Sequence, residues 1–399
     1  LVFGTLGITL MAASAAAGNQ MLDIKADGRM SAATANQAVT KLIEQNKIDI
    51  LTGLLLSNQT IAITKPVADQ GIFVISGVSG PKPMAASKCH ENFFNISWQN
   101  EQPSEALGKF MTQKGVKSVY AISQNYVAGR DHVSGVWQFY KGKRSGEDYV
   151  PRRHMDYAGE IAKIRASNPK AVFMFLPGRG GIAFLKQMSG AGLMGKIKVY
   201  GGSWVADEHS FKAVGDAALG AELSNPWWAQ LDNPANKAFV AAFKKKHSRN
   251  PVFYAAFMYD VINLLDSAVK EAGGIKDKAK FRAALRKANF KSVRGNFKFN
   301  QNHFPIQDFY LVKVAQRDDG KFEFLTKKEA LDITRRITKM DKSLGGIKAM
   351  EGVPKIMFVV DPRREHSNLF TPLLHFLDLY FSDFYLFLFG KLTSNLSLK

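Results

Sequence analysis

What most restricts this chain is a rhythm: short apolar runs alternate with stretches of helical spacing from Asn36 to Tyr200. Asn36 to Glu44 has helical periodicity, and Ile48 to Leu56 is an apolar run. Thr60 to Asp69 is helical again, and Ile72 to Ile75 reads as a strand. A helix at Glu105 to Lys114, a strand at Ser118 to Ile122 and a helix at Asp131 to Tyr140 follow. Ile161 to Ala166, Ala171 to Leu176, Gly181 to Gly190 and Ile197 to Tyr200 carry the pattern on. Runs that are apolar throughout suit strands covered on both faces. The chain therefore reads as α/β, with parallel sheets between layers of helices. Such sheets bind ligands at the carboxyl ends of their strands, and here Gly, Ser or Asn follows several of the runs.

At 399 residues there is material for two domains or lobes. A hydrophobic content of 46% and a charged content of 22% belong to a globular chain, not a disordered one. The net charge of +20 favours anionic partners: nucleic acid, a membrane surface or acidic solutes. Its carriers are scattered, however: Lys141, Lys143 and Arg144; Arg152 and Arg153; Lys244 to Lys246; Arg335 and Arg336. Most alternate with apolar helix positions and read as solvated faces, so charge alone does not make a nucleic-acid binder. One cysteine, Cys89, excludes an internal disulfide and reads as a lone, partly buried thiol.

Nothing in the chain has the spacing of a catalytic or metal centre. H-E-x-x-H, paired C-x-x-C, G-x-S-x-G and G-x-x-x-x-G-K-[ST] are absent, and the eight histidines are not spaced as metal ligands. No catalytic residue, metal or cofactor is expected. Gly178-Arg179-Gly180-Gly181 follows a strand and would either cradle a phosphate or make a tight strand-to-helix turn. Without the phosphate-loop lysine, the turn is the better reading.

Polar loops and aromatics remain. Ser57 follows a buried strand and opens a helix, where its hydroxyl and free backbone N–H groups suit a carboxylate, or where it serves as an N-cap. Ser76-Gly77-Val78-Ser79-Gly80 follows the next strand and would lie beside it, so two donor-rich loops meet at one sheet edge. Tyr126, Trp204, Trp227 and Trp228 come from later loops and would either cover an apolar ligand body or pack in the core.

The ends differ from the middle. Leu1 to Gly18, LVFGTLGITLMAASAAAG, reads either as the later part of a secretory leader or as a first strand, Phe3 to Met11. Phe370 to Gly390 is rich in Leu, Phe and Tyr, but His375, Asp378 and Asp383 make it a poor membrane span.

Between Ser31 and about Gln316 the chain resembles the branched-chain amino acid (Leu/Ile/Val-binding) type of periplasmic solute-binding protein, the receptor of ABC importers. NQAVTKLIEQNKIDILTG, KPVADQGIFVIS, FFNISWQNEQPSEALGKFM and KGVKSVYAISQNYVAGRD carry the likeness in the first half. AVFMFLPG, VGDAALGAE, LDNPANKAFVAAFKKKH and FRAALRKANFKSVRGNFKFNQNHFPIQDFYLVKV carry it in the second. The subgroup is similar to receptors for aromatic acids as well as amino acids.

The resemblance implies two doubly wound parallel-sheet lobes joined by a three-strand hinge, closing on ligand as a clamp. Lobe 1 would be residues 19–96 with 230–300, and lobe 2 residues 97–229 with 301–320. Crossovers would fall near Ser97, Trp227 and Phe299. By the same likeness Ser57 is the hydroxyl contact to a ligand carboxylate, Val78, Ser79 and Gly80 are the loop that adds hydrogen bonds, and Tyr126 is the aromatic of the second lobe. Trp204 joins the covering aromatics. The family's acidic contact to an amino group has no clean counterpart, Asp207 being the nearest, which favours a carboxylate without an amine. A monomer outside the cytoplasm, an ABC permease as partner and no nucleic acid for this region follow as expectations.

Two departures stand out. Only Gly18 to Thr34 fills the space where the family has a first helix and second strand, so lobe 1 is expected to be truncated. From about Phe324 to His366, FLTKKEALDITRRITKMDKSLGGIKAMEGVPKIMFVVDPRREH resembles bacterial ribosomal protein S2. It is expected to hold a helix near Lys327 to Ser343, with an apolar tail of unassigned nature at 367–399. A ribosome-associated or RNA-binding chain is therefore the rival reading. With Phe324 to Lys399 removed, titration should show carboxylate binding retained; binding lost with that segment, with RNA affinity lost beside it, would favour the rival.

Overall fold

The strands form where side chains can be hidden on both faces. Phe73–Ser76 (FVIS) and Ala171–Phe175 (AVFMF) are buried at every position, as parallel strands between helix layers must be. The computed structural model of the protein describes residues 32–202, 204, 210–316 and 322–326. All of these belong to one compact unit, Leu1–Ile337.

Two sheets organise this unit. β1 (Ile50–Thr52), β2 (Phe73–Ser76) and β3 (Phe93–Asn95) are parallel in that order, with Ile50 opposite Phe73 and Val74 opposite Phe93. The second sheet holds β4 (Ser118–Gln124), β5 (Lys143–Val150), β6 (Ala171–Phe175), β7 (Lys198–Gly202) and β8 (Glu222–Asn225), all parallel. After a short antiparallel pair, β9 (Lys298–Phe299) and β10 (Pro305–Ile306), come β11 (Tyr310–Gln316) and β12 (Phe322–Thr326). β11 adds antiparallel to β8 and β12 antiparallel to β11, giving the order β12-β11-β8-β7-β6-β4-β5.

Ten α-helices are present among the described residues: α1 (Ala32–Asn46), α2 (Ser57–Ala68), α3 (Gln102–Gln113), α4 (Val127–Phe139), α5 (Ala158–Ser167), α6 (Arg179–Gly190), α7 (Phe211–Val214), α8 (Pro234–His247), α9 (Phe253–Ala272) and α10 (Lys278–Lys287). α9 is the longest, at 20 residues, and serves both cores. Its Phe253, Ala256 and Phe257 pack with Ile122, Val172 and Leu223 of the second sheet. Its Val261, Leu264, Leu265 and Ala268 pack with Phe73, Ile75 and Phe94 of the first. Gly178, at φ 75°, precedes α6 and turns the chain from strand to helix.

The architecture is the α/β one expected, with three sets of differences. β5 was not foreseen, because KRSGEDYV lies at the sheet edge with only Val150 buried, so no apolar signal marks it. Cys89 is exposed, not partly buried. Packing also shifts the expected lobe boundaries. Phe239 and Val240 of α8 share the second sheet's core, although residues 230–300 were expected in lobe 1. Residues 300–306 stay with the first sheet: His303 carbonyl accepts from the Asn95 backbone N–H (2.9 Å), and Phe304 packs on Phe93. The third passage between sheets is therefore 307–309, not the neighbourhood of Phe299. β12 crosses the expected junction at Phe324. The leader or first strand, the missing part of lobe 1, Asp207, the helix near Lys327 to Ser343 and the apolar tail lie outside the described residues.

A buried ion pair ties these passages together. Arg294 Nε lies 3.2 Å from Asp260 Oδ2, with side chains 3% and 0% exposed. Asp260 also accepts from Ser292 Oγ (2.6 Å) and the Val293 backbone N–H (3.0 Å). Arg294 Nη1 donates to Ser97 carbonyl in the first passage (3.2 Å) and to Gln307 Oε1 in the third (2.6 Å). Gln307 Nε2 donates to the same Ser97 carbonyl at 2.6 Å. Asp260→Ala would strand the guanidinium and should cost about 3–5 kcal/mol in urea unfolding. Adding Arg294→Met should recover much of that loss; an additive double variant would mean that the two charges are not coupled.

Candidate functional site

Because β1, β2 and β3 run parallel, the loops after them open on the same edge. Ser57 follows β1 as the first residue of α2; the N-cap position belongs to Leu56, which makes no side-chain cap. The N-cap reading of Ser57 therefore gives way to another. Its buried hydroxyl accepts from Asn100 Nδ2 (3.0 Å) and Ser79 Oγ (3.3 Å), while Ser79 Oγ accepts from Thr60 Oγ1 (2.8 Å). Accepting both leaves the Ser57 hydroxyl hydrogen for a further acceptor. The backbone N–H groups of the first turn of α2 point the same way by helix geometry.

After β2, the loop Ser76–Gly80 is held by its carbonyls. Ser97 Oγ donates to Val78 carbonyl (2.9 Å), and Ser76 Oγ and Asn95 Nδ2 donate to Ser79 carbonyl (2.6 and 2.7 Å). The Asn100 backbone N–H donates to Gly80 carbonyl at 2.7 Å. With the carbonyls taken, the N–H groups of Val78, Ser79 and Gly80 have no backbone acceptor among the described residues. Ser79 and Gly80 are buried, where N–H groups need partners, and the Ser79 hydroxyl lies 3.3 Å from that of Ser57. A Cβ on residue 80 would collide with the Trp98 carbonyl, so only glycine fits there.

The second sheet supplies aromatics and an acid. Tyr126 stands immediately before α4 with its ring 6.0 Å from that of Phe175. Trp204 lies 5.0 Å from Phe175, 4.6 Å from His132 and 6.3 Å from Trp98, centroid to centroid. Asp131 on α4 accepts from Asn100 Nδ2 (2.9 Å) and from the Lys82 backbone N–H (3.1 Å). The Lys82 ammonium pairs with buried Glu101 at 2.6 Å. Burial is the main force raising the Asp131 pKa, and the bond to Glu101 the main one raising that of Lys82. Among the described residues no His, Cys, Asp or Glu cluster could hold a metal, and no helix is long and apolar enough to cross a membrane.

Of the residues singled out from the sequence, Ser57, Val78, Ser79 and Gly80 come together in one network, and Tyr126 and Trp204 share the Phe175 wall. Trp227 and Trp228 are core instead: Trp227 Nε1 donates to Asn236 Oδ1 (2.8 Å), and Trp228 stacks on Tyr310. Asn100, Asp131, Thr60, Trp98 and His132 were missed. The rule that found Ser57 and Ser79 after β1 and β2, applied to β3, would have found Asn100.

A family model described as periplasmic binding protein matches residues 7–321. The chain belongs to that family. Leu/Ile/Val-binding protein homolog 6 of Brucella melitensis is 25% identical over 309 residues, spanning 75% of this chain and 77% of its own. A solved ABC-transporter solute-binding protein from R. palustris, in complex with benzoate, is 30% identical, with a TM-score of 0.69 over 74% of this chain and 82% of its own. This periplasmic binding protein is thus a solute receptor of the extracytoplasmic kind.

A second model, ribosomal protein S2, matches residues 288–369. The small ribosomal subunit protein uS2 of Aeromonas salmonicida is 51% identical over 166 residues, 37% of this chain and 68% of its own. The match begins earlier than Phe324 and overlaps the first. In the structure the described part of the overlap belongs to the binding protein, since Val293, Val312 and Val314 lie in its core.

His132 gives the site a pH signature. It is 1% exposed, stacks on Phe175 at 4.1 Å and meets Ser104 Oγ at 2.8 Å. Burial holds its pKa well below the ordinary 6.5. The unfolded chain takes this proton as pH falls through that value while the folded one does not, so stability present above it is lost below. His303, lowered mainly by burial, acts in the same sense. Thermal melts of the parent and His132→Phe should differ in slope below about pH 6.5, the variant losing less stability toward acid. Parallel curves would contradict a neutral buried His132.

Proposed function

We propose that this receptor captures a small aromatic carboxylate between its two sheets and passes it to an ABC permease. The observation that carries the reading is the pairing of free donors with an aromatic wall. Ser57, with the N–H groups of Val78, Ser79 and Gly80, supplies hydrogen bonds at one side, and Tyr126, Phe175 and Trp204 supply ring surfaces at the other. A carboxylate accepting several such bonds is held without a counter-charge, while a flat ring suits apolar stacking. The benzoate bound by the R. palustris relative is of this class. Asp131 is already engaged by Asn100 and Lys82, which favours an acid lacking an amine; Asp207 remains the other candidate for an amine contact. The surplus of positive charge favours approach of an anion.

In this reading the protein is a monomeric receptor and not an enzyme: its family is one of solute receptors, and the groups offered to the ligand are the Ser57 hydroxyl, backbone N–H groups and aromatic rings. RNA binding is the second reading, favoured by the S2 match, and it concerns residues 288–369 rather than the cleft.

Closure is the mechanism this implies. A ligand touching both lobes shifts the open–closed balance by its differential affinity for the two states. Ser57→Ala should weaken benzoate binding by about 1–3 kcal/mol in calorimetry. Tyr126→Ala should weaken binding and also leave the liganded protein more open in small-angle scattering. Unaltered affinity in Ser57→Ala would overturn the carboxylate assignment, and a parent radius of gyration unmoved by saturating ligand would overturn the clamp.

A further inference from the structure

The tryptophans of this protein are not treated alike. Trp137 Nε1 donates to Glu147 Oε2 at 2.6 Å, and Trp227 Nε1 to Asn236 Oδ1 at 2.8 Å. Trp98 Nε1 and Trp204 Nε1, shut off from solvent, meet no hydrogen-bond partner among the described residues. Trp98 is 5% exposed, with the rings of Phe253 and Phe257 at 5.9 and 5.3 Å. A buried donor left unmatched destabilises the fold that holds it. The two rings lie 6.3 Å apart, centroid to centroid.

Their place in the fold is as telling as their lack of partners. Trp98 lies in the passage between the sheets, next to Ser97, whose hydroxyl holds the Val78 carbonyl. Its own carbonyl sits against Gly80. Trp204 completes the wall formed with Phe175 and His132. The two indoles thus join the donor loop of the first sheet to the aromatic wall of the second.

We infer that Trp98 and Trp204 form a second polar subsite, which receives an oxygen acceptor on the ligand's ring. This rests on the aromatic-carboxylate reading above and narrows it: the favoured solutes carry a phenolic or ether oxygen as well as the carboxylate. The Ser57 hydroxyl and the N–H groups of residues 78–80 already provide for the carboxylate. The indole donors stand among the rings of Phe175, Phe253 and Phe257. A site built to hydrogen-bond a substituent discriminates strongly against an analogue lacking it, because its donors are then buried unpaired.

The test uses the full chain and five probes in calorimetry: benzoate, meta- and para-hydroxybenzoate, and meta- and para-toluate. Each toluate fills the space of a hydroxyl with a methyl group that accepts nothing. At least one hydroxybenzoate should bind about tenfold or more tightly than its toluate. Trp98→Phe and Trp204→Phe should each shrink that ratio severalfold, whatever either does to the affinity for benzoate itself. A parent ratio near one overturns the subsite, with no variant needed. A ratio preserved in both variants overturns it as well, and an equal loss across all probes would put the indoles on the carboxylate instead. If benzoate and the toluates bind without preference for oxygen, only the subsite falls. If none of the five binds, the aromatic-carboxylate reading falls with it.

Discussion

The Trp98 carbonyl occupies the space where a side chain on residue 80 would begin. That contact binds the donor loop after β2 to the passage after β3, and much of the site depends on it. Asn95, Ser97 and Asn100 then hold the carbonyls of Ser79, Val78 and Gly80. The loop's shape is imposed from outside, which leaves its N–H groups available instead of consumed in a turn of its own. The same passage reaches Arg294 and Gln307 through the Ser97 carbonyl. The proposed ligand donors and the passages between the sheets therefore share one polar network, whose buried Arg294 is matched by Asp260.

The apolar rhythm made the α/β class legible, because strands hidden on both faces must be apolar at every position. The same physics concealed β5, whose edge position lets Lys143, Arg144, Glu147 and Asp148 face water. At the site, Ser57 and Ser79 were legible as hydroxyls after buried strands. Asn100 and Asp131 were not, since their meaning comes from a contact between residues 31 positions apart. His132 reads in the sequence as one more helix residue, and only its burial against Phe175 and Trp204 sets it apart. The third passage was misplaced because residues 300–306 hold to the first sheet through Asn302, His303 and Phe304, and no periodicity marks those contacts.

The binding-protein match ends at residue 321, at the margin of a sheet. β12, Phe322–Thr326, pairs antiparallel with β11 from Val312 to Gln316 and is the outermost strand. An edge strand needs only one partner, and its backbone groups bond whatever the side chains are. Sequence of another origin can take that position at little cost to the core, which is complete without it at Val312 and Val314.

The two halves of α9 carry a mechanical consequence. One helix gives its first turns to one core and its later turns to the other, and over 20 residues it is about 30 Å long. An α-helix of that length behaves as a strut, so opening the cleft cannot come from flexing it. In the proposed closure, the rotation would be taken up in the passages between the sheets, with one end of the strut sliding over its core like a bearing. The apolar side chains at Phe253 and Phe257 would then be the bearing surface, and their bulk would set how far the receptor opens.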